Sequence, residues 1–146
     1  MRARITVDDL AAQTLVDPTW YPCEIIGYKE EPTTGGKNPG QSTNCIWYFK
    51  VVDAKVDKFK GARFRLLVNE QVMSKASGLL VALGAKVDKE KGLDVDMSEA
   101  TMVGRFVDVH IRRGESDRGN PFNEPVEYAP IGTITKYVPA AKAVTA

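Results

Sequence analysis

The fold is decided by one strand-like stretch, Asn44-Cys45-Ile46-Trp47-Tyr48-Phe49-Lys50-Val51-Val52-Asp53. Its aromatic and β-branched residues are typical of a pleated, half-buried strand. Side chains alternate between the two faces of a strand, so one face carries only apolar residues, namely Cys45, Trp47, Phe49 and Val51. The opposite face carries Tyr48 and Lys50 among its members. This pattern predicts a sheet with one face on a core and the other toward solvent.

Four further segments have strand-like composition, at residues 20–29, 62–68, 104–113 and 126–137. In the segment 62–68, alternation turns Phe64 inward and Arg63 and Arg65 together outward. In the segment 104–113, the predicted outer face carries Phe106, Asp108, His110 and Arg112. Long polar loops are expected at 31–42 and at 114–125, where Gly, Pro and Asn are frequent.

One helix is predicted between the third and fourth strands. Asn69 is a good N-cap, apolar residues recur at three- and four-residue steps from 72 to 83, and Gly84 is placed to end the helix. Two shorter turns are expected, one capped by Thr6 with Asp8 and Asp9 behind it, the other near residues 98–100.

The resulting order of elements is β-β-β-α-β-β. It predicts a mainly β fold, a five-stranded OB-fold-like Greek-key barrel with one helix between strands three and four. A ferredoxin-like domain would need a helix between its first two strands, and a small α+β sandwich remains the alternative. The predicted organisation is an N-terminal lead-in at 1–19, the OB-fold-like domain at 20–137 and a flexible tail at 138–146.

Composition excludes several classes of function. Twenty basic and nineteen acidic side chains leave a net charge of +1, so charge alone would not hold the protein on nucleic acid. Two cysteines are too few for a disulfide framework, and a single histidine makes a zinc site improbable. No apolar run approaches the ~20 residues of a membrane span. The expected location is the cytoplasm, that of the host cell if the protein is viral.

Catalytic motifs are absent from the sequence. A phosphate-binding loop built on Gly36-Lys37 would need Gly at position 31 and Ser or Thr at 38, where Glu31 and Asn38 stand. Cys45 is expected on the apolar face, which disfavours a Cys–His nucleophile. Asp94 and Asp96 are not accompanied by further oxygen ligands at the spacing that a cation site needs. We therefore expect no enzyme and no cofactor.

Basic and aromatic residues lie together on the predicted outer face of the sheet. Proteins that bind single strands combine basic groups, which neutralise phosphates, with aromatic rings, on which bases stack. OB-folds bind ligands at strands two and three and at the loops joining strands one to two and four to five. Those loops hold Lys37, Arg118 and Phe122. The predicted nucleic-acid-binding residues are Tyr48, Lys50, Arg63, Arg65, Phe106, His110, Arg112 and Lys37.

A series of short motifs in this order resembles a known family. The motifs are Trp20-Tyr21-Pro22-Cys23-Glu24-Ile25-Ile26, Gly36-Lys37, Ile46-Trp47-Tyr48-Phe49-Lys50-Val51-Val52, Lys60-Gly61-Ala62-Arg63 up to Asn69, Ala82-Leu83-Gly84, Gly104-Arg105-Phe106-Val107-Asp108-Val109 and Asn120-Pro121-Phe122-Asn123-Glu124. Over about residues 20–137, the chain resembles the phage domain-of-unknown-function 669 family, whose members are single-stranded-DNA-binding-like OB-fold proteins.

The resemblance implies an accessory protein of phage DNA replication or recombination. Taken with the residues of the outer face, it predicts a non-enzymatic OB-fold protein that binds single-stranded DNA with little sequence preference. Its expected partners are single-stranded DNA and phage replication or recombination proteins, with no membrane and with homo-oligomerisation left open. The segment from Lys136 to Ala146 carries no carboxylate side chain, unlike the acidic tails of bacterial single-strand binders. The alternatives are a protein–protein adaptor or oligomeric structural subunit, and a nuclease or hydrolase.

Overall fold

The computed structural model describes residues 2–35 and 39–140 of the chain. Five strands dominate it, namely β1 Thr19–Pro32, β2 Thr43–Val51, β3 Arg63–Asn69, β4 Phe106–Glu115 and β5 Pro121–Pro130. The helices are short, namely α1 Val7–Ala12, α2 Ser77–Ala82 and α3 Glu99–Met102, with 3₁₀ helices at Asp57–Phe59 and Glu70–Ala76. The expectation of a mainly β protein is therefore confirmed.

The strands form one antiparallel sheet in the order β3-β2-β1-β4-β5. The long central strand β1 pairs with β2 along residues 23–32 and with β4 along residues 19–24. A bulge between Ile25 and Gly27 bends β1 where the partners change, as bulges generally do. The edge strands β3 and β5 lie near each other, since the Asn123 side-chain amide donates to the Arg63 carbonyl at 3.5 Å. Within the described residues no ladder joins these two edges, so the sheet is open there.

The core lies on the face that the alternation in β2 predicts. Trp47 and Phe49 are fully buried, and Cys45 and Val51 are nearly so. Phe49 stacks on Phe64 of β3 with ring centroids 4.8 Å apart. The opposite face departs from the alternation at Ile46, which is buried between its cross-strand partners Lys29 and Leu67.

The predicted single helix is in fact two pieces. Asn69 caps as expected, its side-chain oxygen accepting from the Gln71 amide at 3.0 Å. The following Glu70–Ala76 segment is 3₁₀ and is interrupted at Val72, whose backbone angles are non-helical (φ −127°, ψ 36°), and α2 begins only at Ser77. Gly84 ends the segment with φ +100°, a conformation that glycine adopts without strain. The apolar spacing located the segment correctly but did not reveal the break at Val72.

The last strand and its loop differ from the prediction. Strand β5 covers Pro121–Pro130 rather than 126–137, and β4 continues to Glu115, so their connection is only residues 116–120. The expected loop at 114–125 was thus too long, because Gly114 and Phe122 are paired across the hairpin. The connection between β1 and β2 spans residues 33–42, of which 36–38 lie outside the described residues.

The lead-in behaves as its sequence indicates. Thr6 caps α1 by accepting from the Asp9 amide at 3.0 Å, and the Asp9 carboxylate accepts from the Thr6 amide at 3.1 Å. This reciprocal capping box fixes a helix of only six residues. The C-terminal part of the predicted tail, residues 141–146, lies outside the described residues.

Both cysteines are buried free thiols, which leads to a prediction. Burial raises the pKa of the Cys23 thiol well above its usual value, so its reactive thiolate is scarce. We expect neither Cys23 nor Cys45 to react with iodoacetamide in the native protein, and both to react once the protein is unfolded in urea. Mass spectrometry of the two samples measures this. A disulfide in freshly purified protein would contradict it.

Candidate nucleic-acid interface

Four of the predicted binding residues lie side by side on the outer face of the sheet. Tyr48 and Lys50 of β2 stand directly opposite Arg65 and Arg63 of β3, respectively. Directly opposed side chains in an antiparallel pair have Cβ atoms ~5 Å apart. Both arginines are exposed, and Tyr48 and Lys50 are half-buried. We call these four residues, Tyr48, Lys50, Arg63 and Arg65, the basic face.

The positive charges of the basic face are not neutralised by ion pairs. Lys50 faces Arg63 on one side, a like-charge pairing that destabilises a sheet, and Glu24 of β1 on the other. In the described residues, the four ion pairs lie elsewhere, and none includes Lys50, Arg63 or Arg65. A bound anion would relieve the repulsion between Lys50 and Arg63.

Arg63 also interacts electrostatically with Asp9 of helix α1. The pKa of the Asp9 carboxyl is lowered, chiefly by hydrogen bonding with Thr6 and to a smaller extent by the positive charge of Arg63. Asp9 is fully exposed to solvent, where such an attraction is weak. Arg63 therefore keeps most of its capacity to attract a phosphate.

The Tyr48 ring packs against Gly27 and Lys29 of β1, contacts that strand alternation alone did not predict. A Cβ placed on Gly27, its partner on β1, would come within 3.2 Å of the Tyr48 ring, so the missing side chain makes room for the ring. The ammonium group of Lys29 lies 5.6 Å from the ring centroid, within the range of a cation–π contact. Lys29 is also paired with Glu31. Tyr48 thus adds an aromatic surface to the basic face, with Lys29 beside it.

A cleft of about 530 Å³ continues the basic face across the opening between β3 and β5. Arg63 and Arg65 line one wall, and Phe122 and Glu124 of β5 line the other. Phe122 is 42% exposed, and its ring occupies the space over Gly114, where a Cβ would lie 2.6 Å from it. Sequence analysis assigned Phe122 to a loop, because the pairing of Gly114 with Phe122 is not visible in the alternation of either strand.

Arg112 of β4 forms an ion pair with Glu124, which lines this cleft, and the acidic partner offsets part of its positive charge. Its Nε atom donates to the Glu124 carboxylate at 2.9 Å, and this pairing raises the pKa of Arg112 further. The structure therefore places Arg112 beside a residue of the cleft and not in the basic face, already partnered by an acid.

Phe106 and His110 lie apart from the basic face, on β4. The Phe106 ring is half-buried, with its centroid 6.3 Å from that of Tyr137. His110 makes an edge-to-face contact with Trp20 at 5.4 Å, and its Nδ1 atom is buried without a hydrogen-bond partner in the described part of the chain. Neither ring joins the cluster around Tyr48. Lys37, the remaining predicted residue, lies outside the described residues.

A segment after β5, residues 131–137, explains why the β4 side is covered. We call it the C-terminal strap. Asp108, predicted on the outer face, is fully buried beneath it. The Asp108 carboxylate accepts from the backbone amides of Ile134 and Thr135 at 2.9 and 3.0 Å, and from the Thr135 hydroxyl at 2.7 Å. Three donors compensate for the removal of this carboxylate from water.

Other kinds of site find no support in the described residues. Across residues 2–35 and 39–140, no group of three or more His, Cys, Asp or Glu side chains is arranged to hold a metal ion. No helix within those residues is long and apolar enough to cross a membrane.

No protein-family model matches the chain, and no curated protein matches its sequence.

Proposed function

We propose that the protein binds single-stranded DNA with little sequence preference, as a non-enzymatic, OB-fold-like module. The observation that carries the proposal is the basic face, where three exposed or half-buried cations adjoin the Tyr48 ring and none of them is in an ion pair within the described residues. Cations of this kind attract phosphates, and an aromatic ring among them offers a stacking surface to any base. Stacking is tolerant of sequence because every base has a π-face, which favours binding of many sequences.

The strand order supports the proposal that the fold is an OB-fold-like barrel. Neighbours in the sheet are β1 with β2 and β4, β2 with β3, and β4 with β5. Closing the remaining gap between β3 and β5 would complete a five-stranded barrel of the kind that binds oligonucleotides on strands two and three. The basic face lies on those two strands. A role in phage DNA replication or recombination is part of the proposal and rests on the family resemblance.

The test removes two positive charges from the edge strand. Arg63→Ala combined with Arg65→Ala should lower the salt dependence of oligonucleotide binding by about 1.4 in the slope of log K against log salt, about 0.7 for each lost contact with a single strand. The measurement is fluorescence anisotropy of a labelled oligothymidylate at several salt concentrations. Folding should be nearly unchanged, because exposed substitutions usually alter stability by about 0.5 kcal/mol or less.

A matched control removes the same charge elsewhere. Lys89→Ala with Lys91→Ala changes two exposed lysines in the loop before α3 and should leave the slope unchanged. If the double arginine variant binds with wild-type affinity and slope, the basic face is not the binding site, and the adaptor function takes its place. Double-stranded DNA and RNA oligomers in the same assay establish the preferred nucleic acid.

A further inference from the structure

A second cleft, of about 650 Å³, lies at the Trp20 end of β1. Its walls are residues 17–22, the segment 53–59 that follows β2, and residues 134–137 of the C-terminal strap. Clefts of roughly 300–1,000 Å³ commonly bind small ligands or parts of larger ones. The basic face does not include any residue of this cleft.

The strap wall is held in a defined position. The buried Asp108 carboxylate receives the three hydrogen bonds from Ile134 and Thr135. The strap folds back tightly at Gly132, where φ is +79° and a Cβ would lie only 2.6 Å from the Tyr137 carbonyl oxygen. These contacts keep Tyr137 at the cleft.

The lining combines aromatic rings with balanced charge. Trp20 and Tyr137 contribute rings, and the exposed Lys55 and Lys136 contribute positive charge. Asp17 and Asp53 also line the cleft. The Asp53 carboxylate lies 3.7 Å from the Lys60 ammonium group, outside the cleft lining, which offsets its charge. Rings beside lysines suit a planar base that carries a phosphate.

The cleft lies within reach of a strand bound on the basic face. Trp20 and Glu24 project from the same side of β1, and Glu24 pairs with Lys50. Four residues of antiparallel strand span about 13 Å. A nucleic-acid strand that contacts Lys50 therefore needs only a short extension along β1 to reach Trp20.

We propose that this cleft takes one nucleobase of the bound strand, stacked on the Trp20 indole, with a neighbouring phosphate near Lys55 or Lys136. This inference rests on the proposed function and adds a second contact point on the nucleic acid. The same purine or pyrimidine ring could arrive as a free nucleotide, and the experiment separates the two sources.

Tryptophan fluorescence tests the proposal, because the chain has only two tryptophans. Trp47 is fully buried in the core, whereas Trp20 lines the cleft. In a Trp47→Phe variant, oligothymidylate should quench the Trp20 emission in parallel with the anisotropy signal. In a Trp20→Phe variant, the remaining emission should not respond. If Trp47→Phe does not fold, the difference between wild type and Trp20→Phe isolates the same signal.

Affinity provides the second measurement. Trp20→Ala should weaken oligonucleotide binding by about 5- to 150-fold, the effect of losing one stacked base. Trp20→Phe, which keeps a ring, should retain most of the affinity. Thymidine monophosphate should quench Trp20 only at much higher concentration than the oligomer.

The outcomes separate this proposal from the proposed function. Oligonucleotide binding that depends on Arg63 and Arg65, with Trp20 emission unchanged and Trp20→Ala binding like wild type, would overturn the cleft assignment and leave the function standing. Tighter binding of the mononucleotide than of the oligomer would assign the cleft to a free nucleotide instead. If no oligonucleotide binds the wild-type protein by anisotropy, the proposed function fails, and the cleft assignment fails with it.

Discussion

Replacing Phe49 with alanine should lower the free energy of unfolding by about 3–5 kcal/mol, as expected for truncating a buried phenylalanine. Phe49 is fully buried, stacks on Phe64 of β3 and lies 6.4 Å from the Tyr128 ring of β5. It is thus in contact range of both edge strands from its position on β2. The cavity left by the ring would loosen the interior where the two edges approach each other.

Urea unfolding followed by circular dichroism measures this effect. Tyr48→Ala is the matched control, since Tyr48 is the adjacent residue, has a ring of similar size and projects from the opposite face. It should cost much less, about 1 kcal/mol, yet weaken oligonucleotide binding by about 1–3 kcal/mol without changing the salt slope, since stacking releases no counterions. Equal destabilisation by the two variants would mean that the two faces of β2 are not core and surface.

Asp108→Ala should destabilise the protein by about 3 kcal/mol or more. Hydrogen bonds to a charged group contribute roughly 1.5–3 kcal/mol each, although the three bonds that Asp108 accepts are not additive. The variant leaves the amides of Ile134 and Thr135 without their acceptor. Lys136 is already exposed, but release of the strap from the sheet should free the backbone around it for cleavage by trypsin, which mass spectrometry of the early fragments detects.

Two variants sharpen the interpretation for Asp108. In the native protein both carboxylate oxygens of Asp108 accept hydrogen bonds, whereas Asp108→Asn keeps only one acceptor oxygen. Its loss of stability should therefore lie between those of the wild type and Asp108→Ala. Asp94→Ala removes an exposed loop carboxylate and should change stability by about 0.5 kcal/mol or less. If Asp108→Ala is no more destabilising than Asp94→Ala, the strap is held by other contacts.

Local sequence patterns determined which residues are buried and where several secondary-structure elements begin and end. The alternation in β2 and β3 was enough to place Trp47 and Phe49 in the core and Arg63 and Arg65 outside, because side chains in a strand alternate strictly. Capping at Thr6 and Asn69 and termination at Gly84 were also predictable, since these depend on residues only a few positions apart. The pairing of β2 with β3 then follows because the two strands are consecutive in the chain, joined by residues 52–62, and consecutive strands usually lie side by side.

Only the tertiary structure decided the rest of the candidate site. The C-terminal strap buries Asp108 through hydrogen bonds to residues 26 and 27 positions away, and nothing near Asp108 in the chain indicates those donors. The same strap brings Tyr137 to Phe106 and forms one wall of the cleft at Trp20. Phe122 joins Arg63 and Arg65 because the bent sheet brings β5 near β3. Strand alternation specifies which face a side chain occupies, whereas contacts between distant segments depend on how the whole sheet curves and where the chain end returns.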